Sequence, residues 1–581
     1  MPGQVFAAGD TSHLPSLRTD KRNRDSTDYS NNYREVSKYG GQLVLATTSD
    51  PRSFNPIIAK ERSSTAITNL IFEGLTTTNG MTTEVEPNLS EGWEVTADGL
   101  SWIFHLRRDV QWFDGHPFTA DDVVFTFLDL IYNEKIPSSA RDTFTIDGKT
   151  FQVEKIDDFT VKFTLPVKFA PFLSAMNTEI LPKHILKSIV DQDKFSFTWG
   201  IDSRPGDIIG TGPFMLKEYA PGERVVLVRN PHYWKKSKTQ EPLPYLDRVV
   251  FMIVQSEDTV FLKFLDGELD YCSLRGMDYP LLKPEEKRRN FTLYDVGPDF
   301  GSNFIVFNLN TGMNPKTNKP YVEAKKLAWF SHINFRRAVA HAIDKQKIVE
   351  ILMNGLGYSQ DSAESPSAAF FYNPNVIKYE YDLAKAREIL AKAGFVDRNG
   401  DGIIEDRQGH DIEFNFYTSS GANERVQIAA IVRSDLESLG MKINFLALEF
   451  NVLVGKLTSN YDWDAILIGL TGGIEPHFGN NVWQSHGQLH MWHPKQSSPA
   501  TAWEKRIDEI FDAGVQELDP AKRKVLYDEW QVIASKELPL MYTVLGANIF
   551  AVRNKFGNLN PTSFGGAFHN LDEIYVYKEF R

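Results

Sequence analysis

The chain has 581 residues, 42% hydrophobic and 24% charged, and 63 basic against 76 acidic side chains leave a net charge of -13. That length exceeds one core, since single cores stop growing near about 250–300 residues, and the acidic balance argues against a nucleic-acid partner, which would want a basic face. The lone Cys272 excludes an intramolecular disulfide, and no apolar run approaches the roughly 18 residues of a membrane span.

Near the N-terminus, Val5-Phe6-Ala7 resembles the small-residue end of a secretory cleavage site, with no long apolar core before it. It reads as the remnant of an export signal, which would make the protein periplasmic or extracellular. Residues 9–39 are polar and charged and read as a flexible lead-in. From Gly40, "GGQLVLATT" alternates as a strand, "DPRSFNP" breaks it, and "STAITNLIFEGL" has helical spacing. "GLSWIFHLR", "DDFTVKFTLP", "RVVLVRNPHYW" and "LDRVVFMIV" read as further strands; "SEDTVFLKFLDGELDYC" reads as a helix ending at Gly267 and then a strand. After residue 300, "INFRRAVAHAIDKQKIVEILMNG", "DLAKAREILAKAGF" and "NERVQIAAIVRSDLESLG" read as helices among the strands "SNFIVFNLN", "IEFNFYT", "MKINFLALEF" and "DAILIGL". That alternation predicts an α/β lobe with a largely parallel sheet, following a more strand-rich first half.

Four stretches could carry chemistry. "RRDVQWFDGHPFTADDVVFTF" (107–127) holds Asp114, His116, Asp121 and Asp122. Asp114-Gly115 is a turn dipeptide, Thr119 and Asp122 fit a capping box, and acids in a first helical turn favour the dipole, so a structural reading precedes a hydrolytic one. "DGKT" (147–150) ends like a phosphate loop but has Thr143 where that motif needs glycine. In "DRNGDGIIEDRQ" (397–408), Asp397, Asn399, Asp401 and Glu405 fall at positions 1, 3, 5 and 9 of a calcium loop, with Gln408 where a bidentate Glu is expected. A structural calcium site and a plain Asx-rich turn both fit. "EPHFGNNVWQSHGQLHMWHP" (475–494) packs His477, His486, His490 and His493 with Trp483 and Trp492, which suits a metal or a ligand contact on an irregular loop. Cys272 reads as a small buried hydrophobe.

Taken together, "IFEGL" (71–75), "PNLSEGWEVTADGLSWIFHLR" (87–107), the 107–127 stretch, "GTGPF" (210–214), "RNPHYW" (229–234), "FLDGELD" (264–270), "NFRRAVAHAID" (334–344) and "AREILAKAGF" (386–395) resemble, in order, the bacterial extracellular solute-binding proteins of family 5, the peptide-binding receptors of ABC importers. The resemblance implies an α/β two-lobe periplasmic binding protein of class II (cluster C) type, with an extra subdomain in the first lobe and a hinge of crossing strands. It implies lobe I at 40–299 with the subdomain at about 57–195, lobe II at 300–542, and a return to lobe I at 543–581. The crossings fall near 297–303 and 542–547. The implied role is capture of a peptide or peptide-like solute between closing lobes and delivery to a membrane permease, as a monomer, with no catalysis and no cofactor. Relatives that take nickel chelates, haem, oligosaccharides or opines keep a non-peptide ligand open.

By the same resemblance, Glu61, Arg62, Ser63 and Ser64 stand where peptide-binding members contact ligand backbone. Phe450 stands at an aromatic wall, and Leu470, Thr471, Gly472 and Gly473 form the loop lining the cleft. From the 475–494 stretch itself, His477 and Trp483 are further candidate contacts, Trp483 for a sugar or blocked peptide and His477 for a ligand that brings a metal. Peptide-binding members carry an Asp in that loop for the ligand's amino terminus, and here Thr471-Gly472-Gly473 has none. A buried ammonium left unpaired there would cost several kcal/mol. The departure favours a blocked peptide or a sugar.

Overall fold

The computed structural model describes residues 38–581 apart from 60, 139, 147 and 488. The export-signal reading and nearly all of the lead-in therefore lie outside the described residues. In the first half, Gln42–Thr47 runs parallel to Arg248–Ile253, which continues antiparallel to Arg224–Arg229 and then Phe214–Ala220. Alternation sends Leu43, Val225, Leu227, Val249 and Phe251 into one core. A second sheet of four antiparallel strands, Ser90–Val95, Ser101–Leu106, Thr160–Thr164 and Gln152–Asp157, makes a subdomain. Its inner face is built on ring edges: Phe163 meets Phe104 at 5.7 Å, Phe127 at 4.9 Å and Phe172 at 5.5 Å.

The 107–127 stretch is framework in this subdomain. Asp122 is buried and accepts from the backbone of Thr119 at 3.0 Å, closing the capping box, from Lys183 N at 2.9 Å, and from the indole of Trp112 at 3.3 Å. Asp121 pairs with Lys155 and Lys183, and Asp114 holds His184 at 2.8 Å while accepting from His116 N. His116 stacks on His184 with ring centres 4.0 Å apart. Each acid is engaged structurally.

Two strands join the halves. Phe291–Pro298 pairs with Val544–Arg553 in a first-lobe sheet that also holds Tyr271–Leu274, with Gly357–Ser359 on the return strand. The chain then passes residues 299–301 into Ser302–Phe307 of the second lobe, whose sheet runs Lys442–Leu448, Glu413–Ser419, Ala465–Leu470, Ser302–Phe307, Leu540–Tyr542. Through Thr543 alone the last strand crosses back to Val544–Arg553. The crossings are bonded to each other: Thr543 N donates to Asn303 O at 2.8 Å, Asp299 N to Gly546 O at 2.9 Å, and the Asn303 amide to Val544 O at 3.3 Å.

The second-lobe sheet is mixed rather than largely parallel. The Glu413–Ser419 strand pairs in parallel on both sides, but Ser302–Phe307 is antiparallel to both neighbours because it enters from the hinge as its partners run towards it. Helices cover both faces. Ile333–His341, Leu383–Ala393 and Asn423–Ser438 bury Phe335, Leu390 and Val432 on one side; Ala502–Gln516 and Pro520–Glu537 bury Phe511, Tyr527 and Trp530 on the other. The run read as one helix from residue 333 breaks after His341 and restarts as Lys345–Leu352. Asp344 caps the restart by accepting from Lys347 N at 2.9 Å, an interruption that apolar spacing alone does not reveal.

Candidate functional site in the cleft

The first lobe contributes a cavity of about 730 Å³. It is lined by Thr47 at the end of the first strand with Thr48 and Ser49 after it, by Glu61, Arg62 and Ser63 at the start of the Arg62–Thr68 helix, by residues 271–275, and by Ala567, Phe568 and His569. Ser64 sits behind that wall, fully buried, where its hydroxyl accepts from Arg52 N at 2.9 Å and Ser53 N at 3.3 Å and meets the Glu61 carboxylate. Ser64 thus fixes the helix entry rather than presenting a free group. Arg62 is exposed on the cavity wall beside Tyr271, and its guanidinium has no hydrogen bond or ion pair among the described residues. Such a donor fork suits a carboxylate or carbonyl. Cys272 also lines the cavity, but burial pushes its thiol up to about 12, which leaves it inert as a nucleophile.

The second-lobe wall follows the Ala465–Leu470 strand. Thr471, Gly472 and Gly473 leave the sheet exposed at the hinge. A Cβ at Gly472 would fall 1.9 Å from Phe300 O on the first crossing strand, so the loop can lie against the hinge only with glycine there; Gly473 faces open space. Glu475 is taken by Arg523, whose Nη1 and Nη2 donate to its two oxygens at 3.0 and 2.5 Å, and it also accepts from His477 N at 3.1 Å. Burial and the Arg523 charge push His477 down to about 4, so the ring is neutral, and its buried Nδ1 has no partner among the described residues. That ring meets Phe169 of the subdomain edge-on at 5.7 Å, and Ala170 N donates to Val515 O at 2.7 Å. The two lobes therefore touch across the cleft mouth.

A family model described as "Bacterial extracellular solute-binding proteins, family 5 Middle" matches residues 84–488. The chain belongs to this family. Among its relatives, the probable ABC transporter-binding protein of Deinococcus radiodurans is 28% identical over 511 residues, 84% of each chain. The oligopeptide-binding protein AppA of Bacillus subtilis is 30% identical over 440 residues, 74% of this chain and 73% of that one. The structure of the Bacillus subtilis AppA complex with a nonapeptide superposes with a TM-score of 0.71 at 25% identity, covering 93% of this chain and 100% of that one.

Within this family 5 protein the remaining sequence candidates separate. Trp483, expected as a ligand contact, is instead 5% exposed in the second-lobe core, 5.6 Å from Trp492 and 5.0 Å from Trp530, because the helix pair at 502–537 covers it. His490 is buried between Val482 O and Gln496, His493 bonds Thr311, and His486 is exposed, so the histidines do not converge. Phe450 opens the Phe450–Gly455 helix, 53% exposed, beyond the edge strand of the sheet. In the 397–408 loop, Asp397 accepts from Gly400 N and Gly402 N, Asn399 from Asp401 N, Asp401 from Ile403 N, and Glu405 from Arg398 N. The loop's oxygens serve its own backbone; among the described residues no three His, Cys, Asp or Glu side chains are placed to hold one ion.

Sequence patterning did not reveal two features of this cleft. Arg425 donates to the Asn303 side chain at 2.7 Å, bracing the crossing strand. Glu364, in "SAESPSAAFF", stands at the hinge with a partly exposed side chain and no periodic or motif signal to mark it.

Proposed function

We propose that this chain is the binding receptor of an ABC importer, capturing a peptide or peptide-like solute between its lobes and delivering it to a membrane permease. The observation that carries the reading is the hinge: two short crossings bonded side by side, with lobes that meet at Phe169–His477 and Ala170–Val515. A ligand favours such closure only if it gains contacts from both walls, and here both walls present polar groups. Glu61, Arg62 and Ser63 supply one side, and Leu470, Thr471, Gly472, Gly473 and His477 the other. The lobe limits that fit the sheets are 40–299 and 300–542 with a return at 543–581, and the subdomain at about 57–195 carries the closing contacts. The receptor acts as a monomer outside the cytoplasm and needs no turnover and no resident cofactor.

Native mass spectrometry of the purified protein, followed by denaturation and identification of what is released, tests this. Peptide-like masses are the expected result. Where nothing is carried through purification, a thermal-shift screen of peptide pools replaces it; a tight ligand at 100-fold excess over Kd adds about 2.7 kcal/mol. A released sugar or metal chelate would defeat the peptide assignment and leave the receptor fold.

A further inference from the structure

Glu364 lies beside the hinge, held there by its neighbours. Ser362 donates to Gln531 at 2.7 Å, and Ser365 donates to Asp299 O at 2.7 Å on the first crossing strand. One residue further along that strand, Phe300 O is where Gly472 packs. The segment carrying Glu364 and the acid-free loop at 471–473 thus flank the same two residues of the hinge. The side chain is partly exposed, yet it has no hydrogen bond or ion pair among the described residues. Its surroundings are Glu475, Tyr527 and Tyr542, and the charge acting on it, that of Glu475, has its own sign. Arg523, the cation of this neighbourhood, is spent on Glu475 and on Gly514 O. The buried hydroxyl of Tyr527 likewise has no partner among the described residues, and neither does the buried Nδ1 of His477.

A half-buried carboxylate without a cation is costly to keep charged, and perturbed carboxyls of this kind cluster at functional sites. We propose that Glu364 is the anionic contact of the cleft, accepting a cationic nitrogen of the solute, ammonium or guanidinium, where the 471–473 loop offers no acid. This rests on the receptor reading above but not on the solute being a peptide. Burial, reinforced by Glu475, pushes the carboxyl up to about 8, and an arriving cation would return it to the ionised form. The neutral hydroxyls of Tyr527 and Tyr542 add polar groups to its surroundings without competing charge.

The test is titration calorimetry on wild type, Glu364→Gln and Glu364→Asp with tetra-alanine, N-acetyl-tetra-alanine, an N-acetylated tetrapeptide containing lysine, arginine and putrescine. The expected result is a loss of tenfold or more in Glu364→Gln for every cationic probe that wild type binds, largely restored in Glu364→Asp, with no loss for N-acetyl-tetra-alanine, which carries no cationic nitrogen. Binding of tetra-alanine but not its acetylated form assigns the nitrogen to the amino terminus; binding of the lysine probe alone assigns it to a side chain. If arginine or putrescine binds and no peptide does, the peptide assignment falls while Glu364 keeps its role. Equal affinity in wild type and Glu364→Gln, or a wild type that binds no cationic probe, overturns the proposal. Thermal unfolding of the free variants serves as the folding control.

Discussion

The charged groups of the cleft differ in what their removal exposes. Arg523 and Glu475 form a bidentate pair whose side chains are 7% and 9% exposed. Truncating one partner strands the other, a loss of about 3–5 kcal/mol for buried pairs. Arg523→Ala is expected to lower the urea midpoint accordingly. Glu364 behaves oppositely. Its folded form keeps a proton up to about pH 8, whereas the unfolded chain releases it near the ordinary glutamate value of 4.5. Between those values the folded state binds more protons, so stability falls as pH rises through the window. Glu364→Gln has no such loss. The melting temperature of the free variant should match wild type near pH 5 and exceed it increasingly towards pH 8; a constant difference across that range would show that Glu364 does not titrate there. Glu504 lies at the other extreme. Burial works against its charge, but His490 at 3.8 Å and hydrogen bonds from Trp492, Thr501 and Gln496 hold it at about 2. Its contribution is present above the ordinary glutamate range and is lost as pH falls towards 2.

At the scale of elements, the loop at 471–473 shows how a local constraint decides what a wall can offer. Gly472 is fixed by Phe300 O, so Gly472→Ala must displace the loop or the crossing strand, a strain of about 1–3 kcal/mol. A Cβ at Gly473 meets nothing within 4 Å, so Gly473→Asp should fold normally. Comparing the two by thermal unfolding separates a packing requirement from an absent contact. Most strands were legible because alternation at "GLSWIFHLR" or "LDRVVFMIV" reflects one buried face, and the capping box at Thr119–Asp122 was legible because its partners lie three residues apart. The break at residues 342–344 was not, since Ala342 and Ile343 continue the apolar face while Asp344 starts a new cap. Trp483 among glycines and histidines has the composition of a loop contact, and its burial comes from helices that begin about 20 residues later. Glu364 was illegible for a related reason: having no partner is a property of three-dimensional surroundings, and nothing in "SAESPSAAFF" encodes it.

For the whole molecule, function depends on how closure is divided between protein contacts and ligand contacts. The subdomain reaches the second lobe at Ala170–Val515, at Phe169–His477, and at Gly99, where the place of a side chain is filled by the Leu518 methyl group. Leu518 is partly buried at this contact and lies just beyond the Ala502–Gln516 helix, outside the cores of both lobes. Replacing it with Asp should leave each lobe intact while removing a contact that exists only when the lobes meet. If the open form dominates without ligand, every 1.4 kcal/mol (about tenfold) lost from the closed form appears in full as weaker apparent affinity. Leu518→Asp is therefore expected to bind the solute about tenfold more weakly, with an unchanged melting temperature when empty and a larger radius of gyration at subsaturating ligand by small-angle scattering. A variant with wild-type affinity would mean that the hinge holds the lobes together without the subdomain, and that the ligand selects among closed molecules rather than driving closure.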